Sequence, residues 1–374
     1  MSAGPARRVL LLCGGRSEEH DVSLASARSV LEAVDGSLDI TPLVIDRRGR
    51  LLPAALSRRA LTEPSTASGD ADAAGAGDGA GGAGLDAGAG PGGSGAAAQE
   101  AEDVASALSR ARSEGFDVVF PLLHGPYGED GSVQGLLRLL GVPFVGSDVL
   151  GSAVAMDKLM MKAVFAAHGF SQVGFGGVTR AGWLADRQGS LAKLAGLAWP
   201  RFVKPANLGS SIGIRRVEAP AELEGAIDAA FAFDRRVIVE EGVRQARELE
   251  VAVLGNDAPE VSPVGEIRFQ ASFYDYDTKY RDGRAELLIP APVPVSVAER
   301  ARDLARRAFA ALDGAGLARV DFLYREDDDT LFLNEVNTIP GFTRHSMYPK
   351  LFQAAGVPYP ELIARLLDLA CEPR

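Results

Sequence analysis

Continuous apolar runs alternate with helical apolar periodicity over the first 146 residues, which is typical of strands alternating with helices. "VLLLC", which ends in Gly14 and Gly15, and "DVVFPLLHG" are apolar throughout and predict buried strands. Ser23 precedes residues of helical spacing and is expected to cap a helix, and "SVQGLLRLL" predicts a helix ended by Gly141. The pattern predicts an α/β unit with a mainly parallel sheet, whose strands end in glycine-rich, ligand-binding turns.

A different pattern follows "VPFVGS". A helix is predicted over "DKLMMKAVFAAHG", then short strands such as "WPRFVKP" and "RRVIVEE". Further on, a long helix is expected to start at a capping box of Ser296 and Glu299 and to end at Gly314, before the strands "ARVDFLY" and "TLFLNEVN". We predict three α/β domains, over residues 1–146, 147–239 and 240–374.

Composition narrows the class of protein. The chain has 374 residues, more than one core usually supports, and 47% of them are hydrophobic. A net charge of −11 with dispersed basic residues argues against a nucleic-acid partner. Cys13 and Cys371 lie at opposite ends, which suggests reduced thiols, and no apolar stretch approaches the ~20 residues of a membrane helix. We expect a cytoplasmic protein with no membrane partner.

Residues 65–98 form a low-complexity segment, with 12 Gly and 12 Ala among 34 positions. Such a segment cannot bury enough apolar surface to offset the entropy of ordering it. It predicts a flexible surface insertion in the first domain.

The hairpin "ARVDFLYREDDDTLFLNEVNTIPG" carries the first candidate chemistry. If "REDDD" turns the chain, Asp321 lies opposite Asn334 or Glu335, and Glu335 and Asn337 share a face. Oxygen ligands of this kind suit Mg²⁺, and Arg319 adds a positive charge beside them. The alternative is an ordinary solvent-exposed hairpin face.

The segment "VKPANLGSSIG" is the second candidate. Small residues let backbone N–H groups approach phosphate oxygens, while Ser210, Ser211 and Lys204 add hydroxyls and a charge. No P-loop motif occurs, and a plain turn is the alternative. Lys158, which opens a helix, is ambiguous by itself.

Acidic residues in "EEGVRQARELEVAVLG" are the third candidate. Glu240, Glu241 and Glu248 follow a strand end and are suited to hold adenine and ribose, or are solvated charges. Glu19 and His20 follow the first strand, and His124 follows a later one, so all three are expected to face a pocket at the strand ends.

The stretch "FYDYDTKY", residues 273–280, fits neither a strand nor a helix period. By itself it predicts an aromatic surface loop.

Together these segments resemble the D-alanine:D-alanine ligases of the ATP-grasp family. Seven motifs match in order over nearly the whole chain: "GGRSEEHDVS", "LHGPYGEDGSVQGLL", "AMDK", "VKPANLGSSIG", "YDYDTKY", "ARVDF" and "NEVNTIPGFTRHSM". The resemblance implies a three-domain ATP-grasp fold with a parallel-sheet N-terminal domain and a nucleotide between the central and C-terminal domains. It also implies a homodimer that phosphorylates one D-alanine with ATP and joins it to a second for peptidoglycan synthesis.

The resemblance implies a role for each motif residue. ATP contacts would come from Lys158, Lys204, Ser210, Ser211, Glu240, Glu241, Val243, Glu248, Phe273 and Lys279. Two Mg²⁺ ions, replaceable by Mn²⁺, would bind Asp321, Glu335 and Asn337. D-Alanine would contact Glu19, Val22, His124, Arg319, Ser346 and Met347. Catalytic roles fall to Arg319, the N–H of Gly341 and a triad of Glu19, Ser210 and Tyr280 on a closing loop.

Two alternatives remain open at this point. One is a D-alanine:D-lactate or D-alanine:D-serine ligase, and the other is a catalytically silent nucleotide-binding regulator. Val243 and Gly242 stand where the family often has larger residues, which predicts a looser adenine pocket.

Overall fold

The computed structural model describes four ranges of the chain, residues 7–34, 38–62, 103–269 and 285–373. The insertion predicted at 65–98 and the aromatic stretch at 273–280 lie outside these ranges.

The first sheet is parallel, as the apolar runs predicted. Its strands are β1 (Arg8–Gly14), β2 (Asp39–Ile45) and β3 (Val118–Leu122), in the order β2-β1-β3. Helices accompany it at α1 (His20–Ala33), α2 (Ala54–Thr62), α3 (Val104–Ser113) and α4 (Ser132–Leu140). Both faces of β1 are buried, Leu11 in one apolar cluster and Leu10 in another, which explains its unbroken apolar run.

The end of α4 was predicted correctly, but the start of α1 was not. Gly141 has a left-handed φ of 64° and donates its N–H to Arg138 O, so it ends α4. Helix α1 begins at His20, which places Ser23 inside the first turn. Its hydroxyl accepts from Gly14 N at 2.7 Å and donates to Leu122 O, so Ser23 ties α1 to two strand ends.

The second sheet is antiparallel. It contains β4 (Phe175–Thr179), β5 (Arg201–Pro205), β6 (Arg215–Val217) and β7 (Arg236–Glu241), in the order β4-β7-β5-β6. The helices of this region are α5 (Val149–Met156), α6 (Lys158–Ala167), α7 (Arg180–Ala185), α8 (Arg187–Leu194) and α9 (Pro220–Ala230). Asp157 caps α6 by accepting from the backbone N–H groups of Leu159 and Met160, which fixes where Lys158 starts the helix.

The third sheet is also antiparallel. Its strands are β8 (Arg247–Gly255), β9 (Glu260–Val261), β10 (Gly265–Phe269), β11 (Ala285–Leu288), β12 (Gly316–Arg325) and β13 (Thr330–Asn337). The order is β11-β10-β8-β12-β13, and β9 pairs with β8. A 3₁₀ turn (Glu326–Asp328) joins β12 to β13, and the helices are α10 (Val295–Ala311), α11 (Met347–Ala354) and α12 (Tyr359–Ala370).

The predicted capping box at the start of α10 is wrong. The helix begins at Val295 after Pro294, and no side chain caps it. Ser296 therefore lies within the first turn, where the fixed φ of Pro294 already sets the chain direction.

The C-terminal helices pack against the first sheet. One apolar cluster contains Phe120 of β3, Phe342 and residues of α11 and α12, and the rings of Phe120 and Phe342 meet edge to face at 5.5 Å. The three sheets agree in number with the three predicted domains, but residue 239 lies inside β7, so the domain bounds stay a prediction. None of the helices in the described ranges combines the length and apolarity needed to cross a membrane.

Candidate active site

A cleft of about 1400 Å³ is lined by strands of the second and third sheets, and by residues at the start of α1 and after β3, which flank the first sheet. Within the described ranges, the cleft brings together the residues to which the resemblance gives a role: Glu19, Val22, His124, Lys158, Lys204, Ser210, Ser211, Glu240, Glu241, Val243, Glu248, Arg319, Asp321, Glu335, Asn337, Gly341, Ser346 and Met347. Phe273, Lys279 and Tyr280 lie outside the described residues, so their roles stay predictions.

The β12–β13 register brings the predicted metal ligands together. Asp321 pairs with Glu335, and Arg319 pairs with Asn337. This settles the partner of Asp321 that the sequence had left open between Asn334 and Glu335. Because direct cross-strand partners share a face, these four side chains lie on one surface.

Arg319 is held between two carboxylates. Its Nε and Nη2 donate to Asp321 Oδ1 and Oδ2, both at 2.7 Å, and Nε lies 3.1 Å from Glu250 Oε2. Glu250, on β8, is the cross-strand partner of Asp321 on its other side. Glu250, Asp321 and Glu335 thus form a row across three strands, which we call the carboxylate wall.

The carboxylate wall suits Mg²⁺. In the described part of the chain, no three His, Cys, Asp or Glu side chains converge closely enough to form a complete metal site. Mg²⁺ does not need one, because it commonly binds one or two carboxylates and takes its other ligands from phosphates and water. Asp321 and Glu335 face each other directly, so a divalent cation between them would relieve their repulsion.

Lysines dominate a second surface, which we call the lysine wall: Lys158, Lys204 and Glu240, with Lys162 behind them. Glu240 is shared by two ammonium groups, with Lys204 Nζ 2.6 Å from Oε2 and Lys162 Nζ 3.3 Å from Oε1. Burial raises the pKa of Glu240, but the two lysines outweigh it and hold the pKa at about 2. Lys158 donates to Leu208 O, and burial lowers its pKa.

The two walls face each other across the cleft. Burial lowers the pKa of Lys204, but Glu240 and then Glu335 outweigh it, so the pKa is raised overall. The charge of Glu335 also acts to raise the pKa of Lys158, against the larger effect of burial. Charges of opposite sign therefore stand within electrostatic reach of one another.

Sequence reasoning missed Lys162. Its side chain is 1% exposed, and it does not line the cleft. The signal that would have found it is its spacing of four residues from Lys158, which places both lysines on one face of α6.

Ser210 and Glu19 form part of the predicted triad. Ser210 and Ser211 adopt left-handed backbone conformations, with φ of 49° and 60°, between β5 and β6. The Ser210 hydroxyl donates to Glu19 Oε1, which links the loop to the start of α1. Gly125 has a left-handed φ of 74°, which favours glycine, and a Cβ there would also lie 2.7 Å from Glu19 Oε2.

The two histidines differ in position. His124 lines the cleft and donates Nδ1–H to Ile339 O at 2.9 Å, and burial lowers its pKa, which favours the neutral ring. His20 does not line the cleft, so the expectation that it faces the pocket is wrong. Its Nδ1 donates to Gly15 O at 2.7 Å and thereby holds the β1–α1 turn.

Glu129 is a second residue that the sequence reasoning missed. It lines the cleft, and its Oε2 accepts the N–H of Gly125 at 2.6 Å. Burial, followed by the charge of Glu19, raises its pKa well above the usual value.

The far end of the cleft is formed by the turn before α11. Ser346 Oγ accepts the N–H of Thr343 at 3.1 Å and would lie 3.2 Å from a Cβ at Gly341, so the Gly341 backbone is closely approached. Met347 is buried and packs on Gly265. Val22, on α1, is half-buried and also lines the cleft.

Glu241 and Gly242, at and after the end of β7, are in close contact with neighbouring parts of the chain. Glu241 accepts the N–H groups of Ala198 at 2.8 Å and Gly174 at 3.3 Å, so its carboxylate holds neighbouring loops. A Cβ at Gly242 would lie 2.9 Å from the ring of Phe202, which explains why no bulky residue stands there. Val243 and Glu248 line the cleft beside them.

Comparison with known proteins decides the family. Residues 8–147 match the family model described as the D-ala D-ala ligase N-terminus, and residues 164–368 match the D-ala D-ala ligase C-terminus. A D-alanine--D-alanine ligase of Deinococcus radiodurans is 52% identical over 371 residues, which is 98% of this chain and 99% of that protein. This chain belongs to the D-ala D-ala ligase family.

Solved structures of ligases support the same fold. The VanG D-Ala:D-Ser ligase from Enterococcus faecalis has a TM-score of 0.77 and 31% identity, covering 98% of this chain and 99% of its own. The D-alanine-D-alanine ligase from Coxiella burnetii has a TM-score of 0.75 and 32% identity, covering 98% and 94%. The predicted ATP-grasp fold, with its parallel N-terminal sheet, is confirmed, and the chain is an ATP-dependent ligase.

Proposed function

We propose that this ligase joins two D-alanine molecules into D-alanyl-D-alanine for peptidoglycan synthesis, cleaving ATP to ADP and phosphate. The observation that carries the proposal is the pairing of Asp321 with Glu335, which places a carboxylate wall opposite a lysine wall. Such a cleft is complementary to a nucleotide triphosphate and its Mg²⁺.

The lysine wall would bind the phosphates. Lys158 and Lys204 supply buried positive charge, and the left-handed loop of Ser210 and Ser211 supplies hydroxyl and N–H donors. Val243 and the acids Glu241 and Glu248 would border adenine and ribose. Glu240 would hold the Lys204 ammonium in place through their ion pair.

Asp321, Glu335 and Asn337 would hold two Mg²⁺ ions, or Mn²⁺ in their place. The metal supplies neutralisation of the charge that builds up on the transferred phosphoryl group. If Asp321 held a metal ion, Glu250 would still be a carboxylate partner of Arg319.

The first D-alanine would bind beside α1. Glu19, oriented by Ser210, would hold its ammonium group, and Val22 and neutral His124 would surround it. Its carboxylate would attack the terminal phosphorus of ATP, releasing ADP and forming an acyl phosphate.

The second D-alanine would bind near Ser346 and Met347 and attack the acyl carbon with its amine. Arg319 and the N–H of Gly341 would stabilise the oxyanion of the tetrahedral intermediate, which expels inorganic phosphate and leaves the amide. Tyr280, Phe273 and Lys279 would act on this step from the predicted closing loop.

A D-lactate or D-serine acceptor is not favoured, because a D-alanine--D-alanine ligase is 52% identical over nearly the whole chain. The test is to incubate the purified ligase with ATP and D-alanine, then with D-lactate or D-serine added, and to measure phosphate and product together. Stoichiometric dipeptide with D-alanine alone supports the proposal. Nucleotide binding without turnover would contradict it and favour a silent regulator.

We also propose a homodimer located in the cytoplasm, as the resemblance implies. Light scattering on the purified protein tests the homodimer, because the mass of a monomer would contradict it. Cell fractionation tests the location in the cytoplasm.

A further inference from the structure

Lys162 lies behind the lysine wall rather than in it. It follows Lys158 by four residues on α6, and its Nζ is 3.3 Å from Glu240 Oε1 and 5.7 Å from the ring centre of Phe175. The side chains of Lys162 and Glu240 are 1% and 4% exposed.

A buried lysine at this place is costly. Replacing a buried ion pair by apolar residues of similar volume is often neutral or stabilising, so packing alone does not call for a lysine here. Two lysines four residues apart on one helix also repel each other. We therefore look for a role of the Lys162 charge that a methionine of similar size would not fulfil.

The net charge of the group around Glu240 indicates this role. Its carboxylate contacts Lys204 at 2.6 Å, and with that lysine alone the pair would carry no net charge. A neutral pair attracts a polyphosphate weakly. Lys162 approaches the other carboxylate oxygen from the protein side and restores a net positive charge to the group.

We propose that Lys162 is a positioning residue for the nucleotide: it neutralises Glu240 from behind and lets Lys204 present its charge to the phosphates. This inference rests on the proposed function and extends it to a residue that the nucleotide does not touch. Glu240 acts as the link, because it fixes the Lys204 ammonium at the cleft while Lys162 balances its charge.

The test compares a ligand that has phosphates with one that has none. Calorimetry would measure the Kd of Mg·ATP and of adenosine for the wild type, for Lys162→Met, and for Lys193→Met, an exposed control on α8. Lys162→Met is expected to weaken Mg·ATP binding roughly tenfold through the lost charge and to leave adenosine binding unchanged. Lys193→Met should change neither.

A second variant removes the buried pair together. Lys162→Met/Glu240→Gln removes both charges of the most deeply buried pair and leaves Lys204, which lines the cleft, as the remaining charge of the three. The double variant should therefore fold more readily than Lys162→Met, which leaves the buried Glu240 with one partner fewer. Lys204 then keeps its charge but loses the carboxylate that fixes it, so the Mg·ATP affinity should lie between that of Lys162→Met and that of the wild type. If the single variant does not fold, this double variant decides alone.

Three outcomes would overturn the inference. They are unchanged Mg·ATP binding in Lys162→Met, an equal loss for adenosine and Mg·ATP, and a double variant that binds Mg·ATP roughly tenfold more weakly than the wild type. If the wild type itself does not bind Mg·ATP, the proposed function fails with it. Wild-type binding with any of the three outcomes removes only the role of Lys162.

Discussion

The lysine wall and the carboxylate wall use buried charge in opposite ways. In the lysine wall, one carboxylate, Glu240, is shared by two ammonium groups, whereas in the carboxylate wall one guanidinium, Arg319, is shared by two carboxylates. Each wall therefore keeps an excess of one sign and holds its residues in place with a single opposite charge. The cleft is therefore complementary to a ligand that carries charges of both signs, such as a polyphosphate with a divalent cation.

The carboxylate wall should be the more sensitive to substitution, starting with Arg319. Arg319→Met is expected to lower kcat by about 10² to 10³-fold, because it removes a donor to the oxyanion. Steady-state rates of dipeptide formation by the variant and the wild type measure this change in kcat. Arg325→Met, a change of a half-exposed arginine outside the cleft on the same strand, should retain activity. Comparable rates for the two variants would remove Arg319 from the chemistry.

Glu335→Gln tests the metal assignment. An amide is a poorer Mg²⁺ ligand than a carboxylate, so turnover should fall at least about a hundredfold, given that even outer-shell partners of a metal contribute about 10 to 100-fold. Circular dichroism should show a retained fold, and the Mg²⁺ concentration for half-maximal activity should rise. An unchanged Mg²⁺ dependence, matching that of the exposed control Glu326→Gln, would rule out Glu335 as a ligand.

On the lysine wall, Lys204→Met should act on binding. A hydrogen bond to a charged group contributes roughly 1.5 to 3 kcal/mol, so the Kd of Mg·ATP should rise by about 10 to 100-fold. Calorimetry with Mg·ATP and with adenosine separates the phosphates from the base. A loss that is the same for both ligands would show a general distortion of the cleft instead.

The smallest expected effect is on stability at low pH. The pKa of Glu240 is about 2 in the folded chain, below its ordinary value of 4.5, because Lys162 and Lys204 outweigh burial. A carboxyl with a lowered pKa stabilises the fold fully above 4.5 and loses that contribution as pH falls from 4.5 towards 2.

Denaturant unfolding of the wild type and Glu240→Gln would detect this. Over that pH window the free energy of unfolding should fall more steeply in the wild type, by up to about 1.4 kcal/mol per pH unit. Parallel curves for the two proteins would show that Glu240 does not carry this dependence.

Local pattern was enough to bring the proposed metal ligands onto one hairpin, but it did not predict where two of the helices start. The tight turn in "REDDD" limited Asp321 to two cross-strand partners, and the β12–β13 register then chose Glu335. Ser23 and Ser296 each resembled a cap but lie one or more residues inside their helices. Ser23 instead makes hydrogen bonds to the ends of β1 and β3. These bonds depend on how α1 packs against the two strands.

Motif spacing and apolar period are local properties, so the sequence was enough to identify the family, to predict the main strands and helices and to name the site residues that the cleft brings together. Tertiary structure decided which charges meet. Lys162 and Glu240 lie on α6 and β7, and Arg319 and Glu250 lie on β12 and β8, so their pairing follows from packing rather than from neighbouring residues. The pKa of Glu240 depends on burial and on lysines from two other elements, and no local pattern encodes that combination.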